Sequence, residues 1–290
     1  MSKGILIIAV GHPFYGRMAF NLAVSLKTTD PSCNVALAHD GGSLSDLFRY
    51  DLDTWIDQQI RIPDEMLRHG YSLSYVRPKL FMYDLSPYDE TIFLDADTIW
   101  LPWKPVSDLF TQLQPYDFTM ANRGYYEITD AEPDDKYSRW CKLSEVKAEY
   151  GKGRYYSLHS EVVYFKRSDQ VAKYFSKAKE VYDGCKISYT NFADTIPDEL
   201  AFSIAGISTG LYPHKDDFIP SYWYQASDQK LSAQDIYRNF YLYSIGGNAI
   251  SEKFRRIYDD LAAYYFQRAM LQYPYRVVHK KRFLKERIAL

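Results

Sequence analysis

Residues 91–100, TIFLDADTIW, constrain this 290-residue chain more than any other stretch. An apolar run of the kind that forms a buried strand leads directly into Asp95, Ala96 and Asp97, and apolar residues resume at Ile99. Charged side chains rarely enter such a context unless another group pairs with them or a ligand binds them. The two carboxylates therefore predict either a capped turn after a strand or a binding site for a cation.

The acidic stretch lies within a pattern of alternating strands and helices. Residues 4–10 and 34–39 are short apolar runs, and between them residues 15–27 carry apolar side chains at helical spacing. This order predicts an α/β fold, with a wound, Rossmann-like mixed sheet flanked by helices. Further strands are predicted at 56–63, 91–95, 116–123 and 160–167, and further helices at 43–52, 79–85, 169–182 (capped by Ser168), 197–204 and 251–271. Residues 123–157 are predicted to be an irregular excursion or lid, and residues 221–248 an irregular aromatic segment.

Length and composition predict one catalytic domain with a smaller extension. The chain is 47% hydrophobic and 25% charged, which allows a sizeable core. Residues 1–220 are predicted to form the catalytic domain, and residues 221–290 a helical and aromatic extension packed on it. The three cysteines are scattered and form no Cys-x-x-Cys pair, which favours a reducing compartment. No apolar run approaches the roughly 18 residues of a membrane span, so we expect a cytoplasmic protein without a transmembrane segment.

Asp95 and Asp97 are predicted to act together on a divalent cation. In an extended strand, residues i and i+2 project to the same side, and ligands of wound α/β sheets bind beyond the carboxyl ends of the strands. Two carboxylates that converge in a partly dry site repel each other unless a cation neutralises them. Oxygen ligands select hard ions such as Mg²⁺ or Mn²⁺, and the phosphates of a nucleotide commonly complete the ion's shell.

The sequence around these acids resembles a known enzyme family. Residues 88–101, YDETIFLDADTIWL, resemble the central Asp-x-Asp motif of GT-A glycosyltransferases, especially family eight, which contains glycogenin and lipopolysaccharide galactosyltransferases. The resemblance extends to VRPKLFMYDLSPYDE at 76–90 and to AVGHPFYGRMAFNLAVSL at 9–26. It implies a nucleotide-sugar donor, with UDP favoured, a Mn²⁺ or Mg²⁺ ion, and transfer of a hexose to an acceptor hydroxyl, with retention favoured over inversion.

The resemblance also implies roles for individual residues. Asp97 would be the main metal ligand, and Asp95 would contact both the metal and the ribose. Lys79 would lie near the donor phosphates or sugar and is a candidate catalytic residue, with an ordinary surface lysine as the alternative. The other donor-binding candidates lie beside the strand ends and are Val10, Gly11, His12, Tyr15, Asp40 and Ala96. A simple strand-to-helix turn at 11–16 and a capping role for Asp40 stay open as alternatives.

A third metal ligand is predicted at His214, because a neutral imidazole binds divalent ions readily. The usual His-x-x-Gly-x-x-Lys-Pro-Trp pattern of the family is absent from this sequence. A surface histidine is therefore the alternative interpretation of His214, and Asp216 and Asp217 are competing ligands.

Asp198 and Glu199 are predicted in the first turn of a helix and are candidates for activating the acceptor hydroxyl. The alternative is that the helix dipole alone favours two acids at this position. A second departure from the family lies at residues 159–161, His-Ser-Glu, where Asn-Ser-Gly is usual. Glu161 would there either contact the donor or face solvent.

The acceptor stays open between a glycan, a lipid-linked molecule and a small molecule. Residues 252–290 contain ten Lys or Arg and four Asp or Glu. This basic C-terminal segment predicts contact with an anionic membrane surface, or with DNA if the acceptor is a hydroxymethylated base. A solvated basic helix face is the alternative interpretation. A metal-dependent nucleotidyltransferase is a further alternative, although GHPFYG is not the Gly-rich phosphate loop usual in such enzymes. A non-catalytic sugar-binding module would give the two acids no role.

Overall fold

A computed structural model describes residues 1–70, 72–130, 136–192, 195–223, 231–246 and 252–272. The strands are β1 (Lys3–Ala9), β2 (Val35–His39), β3 (Gln58–Arg61), β4 (Arg68–His69), β5 (Ser72–Leu73), β6 (Glu90–Asp95), β7 (Thr98–Trp100), β8 (Phe118–Ile128), β9 (Gly153–Lys166), β10 (Ser221–Trp223) and β11 (Leu242–Ser244). The α-helices are α1 (Pro13–Thr29), α2 (Asp64–Leu67), α3 (Met82–Leu85), α4 (Val106–Leu113), α5 (Leu143–Tyr150), α6 (Asp169–Asp183), α7 (Asp198–Thr209), α8 (Ala233–Asn239) and α9 (Glu252–Gln272). Short 3₁₀ helices span Gly42–Leu44, Leu52–Thr54 and Arg77–Phe81.

The chain divides into two compact units. One, which we call the β1 unit, comprises Lys3–Ile62, Phe93–Leu113 and Pro220–Leu290. The other, the β9 unit, comprises Met1–Ser2, Pro63–Ile92 and Gln114–Ile219. The predicted boundary near residue 220 and the assignment of residues 1–220 to one catalytic domain stay predictions.

The larger sheet is mixed, as the sequence pattern predicts. Its hydrogen-bonded order is β3-β2-β1-β6-β9-β8. β1, β2 and β3 are parallel, whereas β8 and β9 are antiparallel. A smaller sheet has the order β10-β11-β7, and β4 pairs with β5. This mixed α/β architecture confirms the predicted fold class.

The β1 unit is built on continuous apolar strands. Residues 5–9 of β1 are all buried, as is typical of a parallel strand covered on both faces. α1 packs against β1, β7 and the C-terminal helix α9. It begins at Pro13, two residues before the predicted start, because the His12 side chain caps it and proline suits a first helical turn.

The β9 unit has a long antiparallel pair at its centre. α7 packs on β9 and against α6. The Ser168 Oγ accepts a hydrogen bond of 3.3 Å from the Val171 amide, which confirms the predicted cap of α6. The predicted lid at 123–157 is wrong in its described part, because β8 continues to Ile128 and helix α5 and the start of β9 follow.

Two other predictions of local structure differ from the described residues. Residues 43–52 contain a 3₁₀ turn at Gly42–Leu44 in place of a helix, and the segment after 220 contains β10, α8 and β11. Residues 273–290, which carry the end of the predicted basic segment, lie outside the described residues. Within the described ranges, every helix is too short or too polar to cross a membrane.

Candidate active site

Asp95 is the last residue of β6, and Ala96 and Asp97 form a tight turn before β7. The Ala96 amide donates to Asp95 Oδ1 at 3.1 Å, and the Thr98 hydroxyl donates to the Asp95 carbonyl at 2.8 Å. Asp95 is half-buried, and only 8% of Asp97 is exposed. Asp97 therefore does not continue the extended strand that the sequence argument assumed, and the role of both acids in binding a cation stays a prediction. Both acids nevertheless lie at the carboxyl end of β6, where the fold class is expected to bind ligands.

Asp40 connects the ends of β1 and β2. Its Oδ2 accepts a 2.7 Å hydrogen bond from the Gly11 amide, and its Oδ1 accepts a 2.8 Å bond from the Ser43 amide. The Ser43 hydroxyl in turn donates to the Ala9 carbonyl at 2.8 Å. This geometry supports the capping role for Asp40, because both carboxylate oxygens already hold backbone amides.

The loop after β1 turns closely into α1. The Phe14 amide donates to His12 Nδ1 at 3.1 Å, so His12 is the N-cap, and Tyr15 follows in the first turn. A Cβ on Gly16 would lie 1.9 Å from the Ser43 carbonyl oxygen, so only glycine allows this approach. The donor-binding candidates Val10, Gly11, His12, Tyr15 and Asp40 therefore belong to one ordered junction. Their roles as ligands stay predictions.

In the β9 unit, Asp198 and Glu199 begin α7, as predicted, and both are secluded from solvent. Only 4% of Asp198 is exposed, and its Oδ2 makes no hydrogen bond to any described residue. Glu199 Oε2 accepts a 2.9 Å hydrogen bond from Trp140 Nε1 and lies 3.5 Å from the Arg139 guanidinium. Its Oε1 lies 3.8 Å from His159 Nδ1.

Burial keeps Glu199 and His159 in their neutral forms near neutral pH. Burial and then the neighbouring charge of Asp198 raise the pKa of Glu199, whereas Arg139, the Trp140 hydrogen bond and Lys79 lower it less. Burial, followed by the charges of Arg123 and Arg139, lowers the pKa of His159 to about 4. Because burial disfavours both charged forms, we regard the 3.8 Å contact between His159 and Glu199 as one between neutral groups.

Lys79 lies in the same unit, within the 3₁₀ helix Arg77–Phe81. Its Nζ is 3.5 Å from the Ser160 hydroxyl. Ser160 and Glu161 lie where the pairing of β9 with β8 is interrupted, since Met120 pairs with Val163 and Ala121 with His159. Such irregularities are common beside active sites, where they redirect side chains.

His214 is exposed and belongs to the β9 unit, whereas Asp95 and Asp97 belong to the β1 unit. Its Nδ1 lies 2.8 Å from the Phe118 carbonyl oxygen, and its ring stacks on Tyr116 at 5.9 Å. A carbonyl only accepts hydrogen bonds, so in the neutral ring Nδ1 carries the proton and Nε2 carries the lone pair. Metal-binding histidines commonly show this arrangement.

No group of three or more His, Cys, Asp or Glu side chains in the described ranges is arranged to hold a metal ion. The metal ligands predicted at Asp95, Asp97 and His214 therefore stay predictions. Arg139 and Trp140, which contact Glu199, were not predicted from the sequence. No local motif marks these two residues, which are about 60 positions away from Glu199 along the chain.

Comparison with known proteins supports the fold. No protein-family model matches the sequence, and no curated protein matches it. Among solved structures, the chain is similar to the apo form of the WbbM bifunctional glycosyltransferase, with a TM-score of 0.50 and 14% identity. The chain has a glycosyltransferase fold. The match covers 85% of this chain and 46% of the WbbM chain, so this chain spans less than half of WbbM.

Two further structures are similar to nearly the whole chain. The galactosyltransferase LgtC, solved with donor and acceptor sugar analogs, has a TM-score of 0.49 at 12% identity, covering 89% of this chain and 95% of its own. Mouse xyloside xylosyltransferase 1 has a TM-score of 0.47 at 12% identity, covering 86% of this chain and 99% of its own. The similarity to WbbM, at 14% identity, shows the fold alone. It confirms the glycosyltransferase fold implied by residues 88–101 and says nothing about individual residues.

Proposed function

We propose that this chain is a metal-dependent glycosyltransferase that moves a sugar, a hexose being favoured, from a nucleotide-diphosphate sugar to an acceptor hydroxyl. The observation that carries the proposal is the Asp95-Ala96-Asp97 turn directly after β6 in a chain with a glycosyltransferase fold. UDP is the favoured nucleotide. The acceptor class is a glycan, a lipid or a small molecule.

In this proposal Asp95 and Asp97 of the β1 unit would hold the metal, and His214 stays the predicted third ligand. Carboxylate oxygens with one imidazole nitrogen suit Mn²⁺ or Mg²⁺, and the tautomer that Phe118 favours leaves His214 Nε2 able to bind. When bound, the ion would neutralise charge on the leaving diphosphate. The fit of these residues to Mn²⁺ or Mg²⁺ is judged from the chemistry of their donor atoms.

The β9 unit supplies candidates for contact with the transferred sugar. Asp198 Oδ2 is buried and accepts no hydrogen bond from a described residue. Burying such an oxygen costs free energy unless a bound ligand donates a hydrogen bond to it. A sugar hydroxyl would satisfy this oxygen. Lys79 would lie near the donor phosphates, as the resemblance implies. Because burial keeps Glu199 protonated near neutral pH, it is poorly suited to act as a base, and this favours retention over inversion in our proposal.

A panel of nucleotide sugars tests the proposal directly. Each donor is incubated with the protein and Mn²⁺, and release of free nucleotide is measured, because water substitutes slowly for an absent acceptor. We expect hydrolysis of one donor class, with UDP-sugars first, and loss of that activity in Asp97→Asn. Asp108→Asn, which changes an exposed acid on α4, is the matched control and keeps the activity. Equal hydrolysis by Asp97→Asn would overturn the proposal.

A cytoplasmic location is also part of the proposal. It is supported by three cysteines that form no disulfide, which is typical of a reducing compartment. Contact of the basic C-terminus with an anionic surface, or with DNA as the acceptor, stays a prediction.

A further inference from the structure

Two nitrogen-bearing side chains lie together at the carboxyl ends of β2 and β3. Arg61 is the last residue of β3, and it pairs in register with His39, the last residue of β2. Partners in register on neighbouring parallel strands project to the same side of the sheet. Both residues belong to the β1 unit, and they lie at the end of the sheet where wound α/β folds bind ligands.

The guanidinium of Arg61 lies against the turn that follows β2. Gly41 in this turn has a φ of +79°, and a Cβ built on it would lie 2.9 Å from Arg61 Cζ and closer still to Nη1. Only glycine therefore leaves room for the guanidinium. The preceding residue is Asp40, whose carboxylate binds the Gly11 amide. Arg61 thus lies beside the ordered junction that contains the donor-binding candidates.

Arg61 and His39 both offer hydrogen-bond donors. His39 Nδ1 accepts a 3.0 Å hydrogen bond from the Gly41 amide, so in the neutral ring the proton is on Nε2. Burial, followed by the charge of Arg61, lowers the pKa of His39, whereas Asp40 raises it less. A guanidinium has five N–H donors and no acceptor. Among the described residues, none forms a hydrogen bond or an ion pair with the exposed Arg61 guanidinium.

A ligand group that accepts hydrogen bonds and donates none is complementary to these side chains. Pyrimidine bases differ in this property at their 4-position, where uracil, like thymine, has a carbonyl oxygen and cytosine has an amino group. An amino group against Arg61 would oppose donor to donor and leave both without a partner, which costs free energy. A carbonyl oxygen would accept from the guanidinium.

The order of the strands is consistent with a nucleobase at this position. β1 lies between β2 and β6, so Arg61 and His39 are on one side of the junction after β1, and Asp95 is on the other side. In the proposed function, Asp95 and Asp97 bind the diphosphate end of the donor. The base would then extend across the junction toward β2.

We propose that Arg61, with His39 beside it, is a specificity-determining residue that selects a nucleotide whose base has a carbonyl oxygen at the 4-position, uracil over cytosine. This inference rests on the proposed function, because it requires a nucleotide at the junction. It adds the residue that distinguishes one nucleotide from another and the chemical reason for the choice.

The test compares UDP with CDP, which differ only in the base, so the contributions of the metal and the diphosphate cancel. Each nucleotide is titrated calorimetrically into the full chain in saturating Mn²⁺. Arg61→Met removes the donors and keeps the aliphatic stem. His39→Asn removes Nε2 and keeps an oxygen that can accept from the Gly41 amide. Arg68→Met, which changes an exposed arginine outside the junction, is the matched control.

We expect the wild type to bind UDP about tenfold to a hundredfold more tightly than CDP, as one hydrogen bond to a charged donor would produce. Arg61→Met should weaken binding of UDP but not of CDP, which brings the ratio of the two affinities close to one. His39→Asn should lower the ratio less, because the imidazole is neutral, and Arg68→Met should keep it. Arg61→Gln, whose amide can donate to uracil or accept from cytosine, gives the same test if Arg61→Met does not fold.

The outcomes separate this inference from the proposed function. Equal affinity of the wild type for UDP and CDP would overturn the inference and leave the proposed function standing. An Arg61→Met variant that weakens both nucleotides by the same factor would show that Arg61 contacts the phosphates, and one that keeps the wild-type ratio would show that it contacts neither; both results overturn the inference. A wild type that binds neither nucleotide would contradict the proposed function itself.

Discussion

Trp140→Phe tests the electrostatic description of the buried acid Glu199. The substitution removes the Nε1 donor that lies 2.9 Å from Glu199 Oε2 and keeps an aromatic ring near Phe192, whose centroid is 5.8 Å away. A hydrogen bond to a neutral acceptor contributes about 0.5–1.5 kcal/mol, and one to a charged acceptor about 1.5–3 kcal/mol. The bond is therefore stronger by about 1 kcal/mol when Glu199 is ionised.

The sign of the pH dependence follows from the raised pKa of Glu199. An acid whose pKa is higher in the folded state destabilises the fold as pH rises from its unfolded value through its folded value. Loss of the Trp140 donor raises the pKa of Glu199 further. The variant must therefore lose more stability than the wild type over the same rise in pH.

Urea denaturation at pH 6 and pH 9 measures this effect. We expect Trp140→Phe to be less stable than the wild type by about 1–2 kcal/mol at pH 6, and the deficit to grow by about 1 kcal/mol at pH 9. Trp103→Phe is the matched control, because Trp103 is 73% exposed. A deficit that is identical at both pH values would refute the idea that Trp140 stabilises the ionised form of Glu199.

Three further predictions concern stability. Ser168→Ala removes the cap of α6 and is expected to cost about 1 kcal/mol in urea denaturation, whereas an unchanged unfolding midpoint would exclude a capping role. Gly16→Ala places a Cβ 1.9 Å from the Ser43 carbonyl oxygen and is expected to cost about 3 kcal/mol; full stability would show that the two segments do not approach so closely. The pKa of His159, lowered to about 4 from 6.5, predicts that unfolding takes up a proton below pH 6.5. Stability should therefore fall by up to about 3 kcal/mol between pH 6.5 and 4, and His159→Gln should remove that part of the fall.

The sequence predicts those parts of the fold that have a strong local pattern. The apolar run of β1 and the capped helix α6 are where the pattern predicts them, because burial and a local cap determine them. For the part of β8 beyond Asn122 the sequence predicts a lid, because tyrosine, glycine and charged residues mask the alternation of apolar and polar side chains that is typical of a strand. In the structure, residues 123–127 alternate between exposed and half-buried side chains. The pairing with β9 shifts between Asn122 and Tyr125, and no local sequence rule predicts this shift.

The sequence predicts only those residues of the candidate site that stand out in a short local pattern. Asp95 and Asp97 are conspicuous because they interrupt an apolar run, yet the sequence leaves an extended strand and a turn as alternatives, since the short strand β7 is too brief to give a periodic signal. The beginning of α7 at Asp198 follows from Pro197 and the adjacent acids. The contact of Trp140 with Glu199 joins distant chain segments, so no pattern of spacing reveals it.

Calorimetric titration of UDP into the protein, with and without Mn²⁺, tests the central claim most directly. The account predicts binding of UDP in the presence of Mn²⁺, little or none without a divalent ion, and loss of the Mn²⁺-dependent binding in Asp97→Asn. UDP binding that is equally tight without metal, and unchanged in Asp97→Asn, would contradict the claim that the acidic turn after β6 holds a metal for a nucleotide-sugar donor.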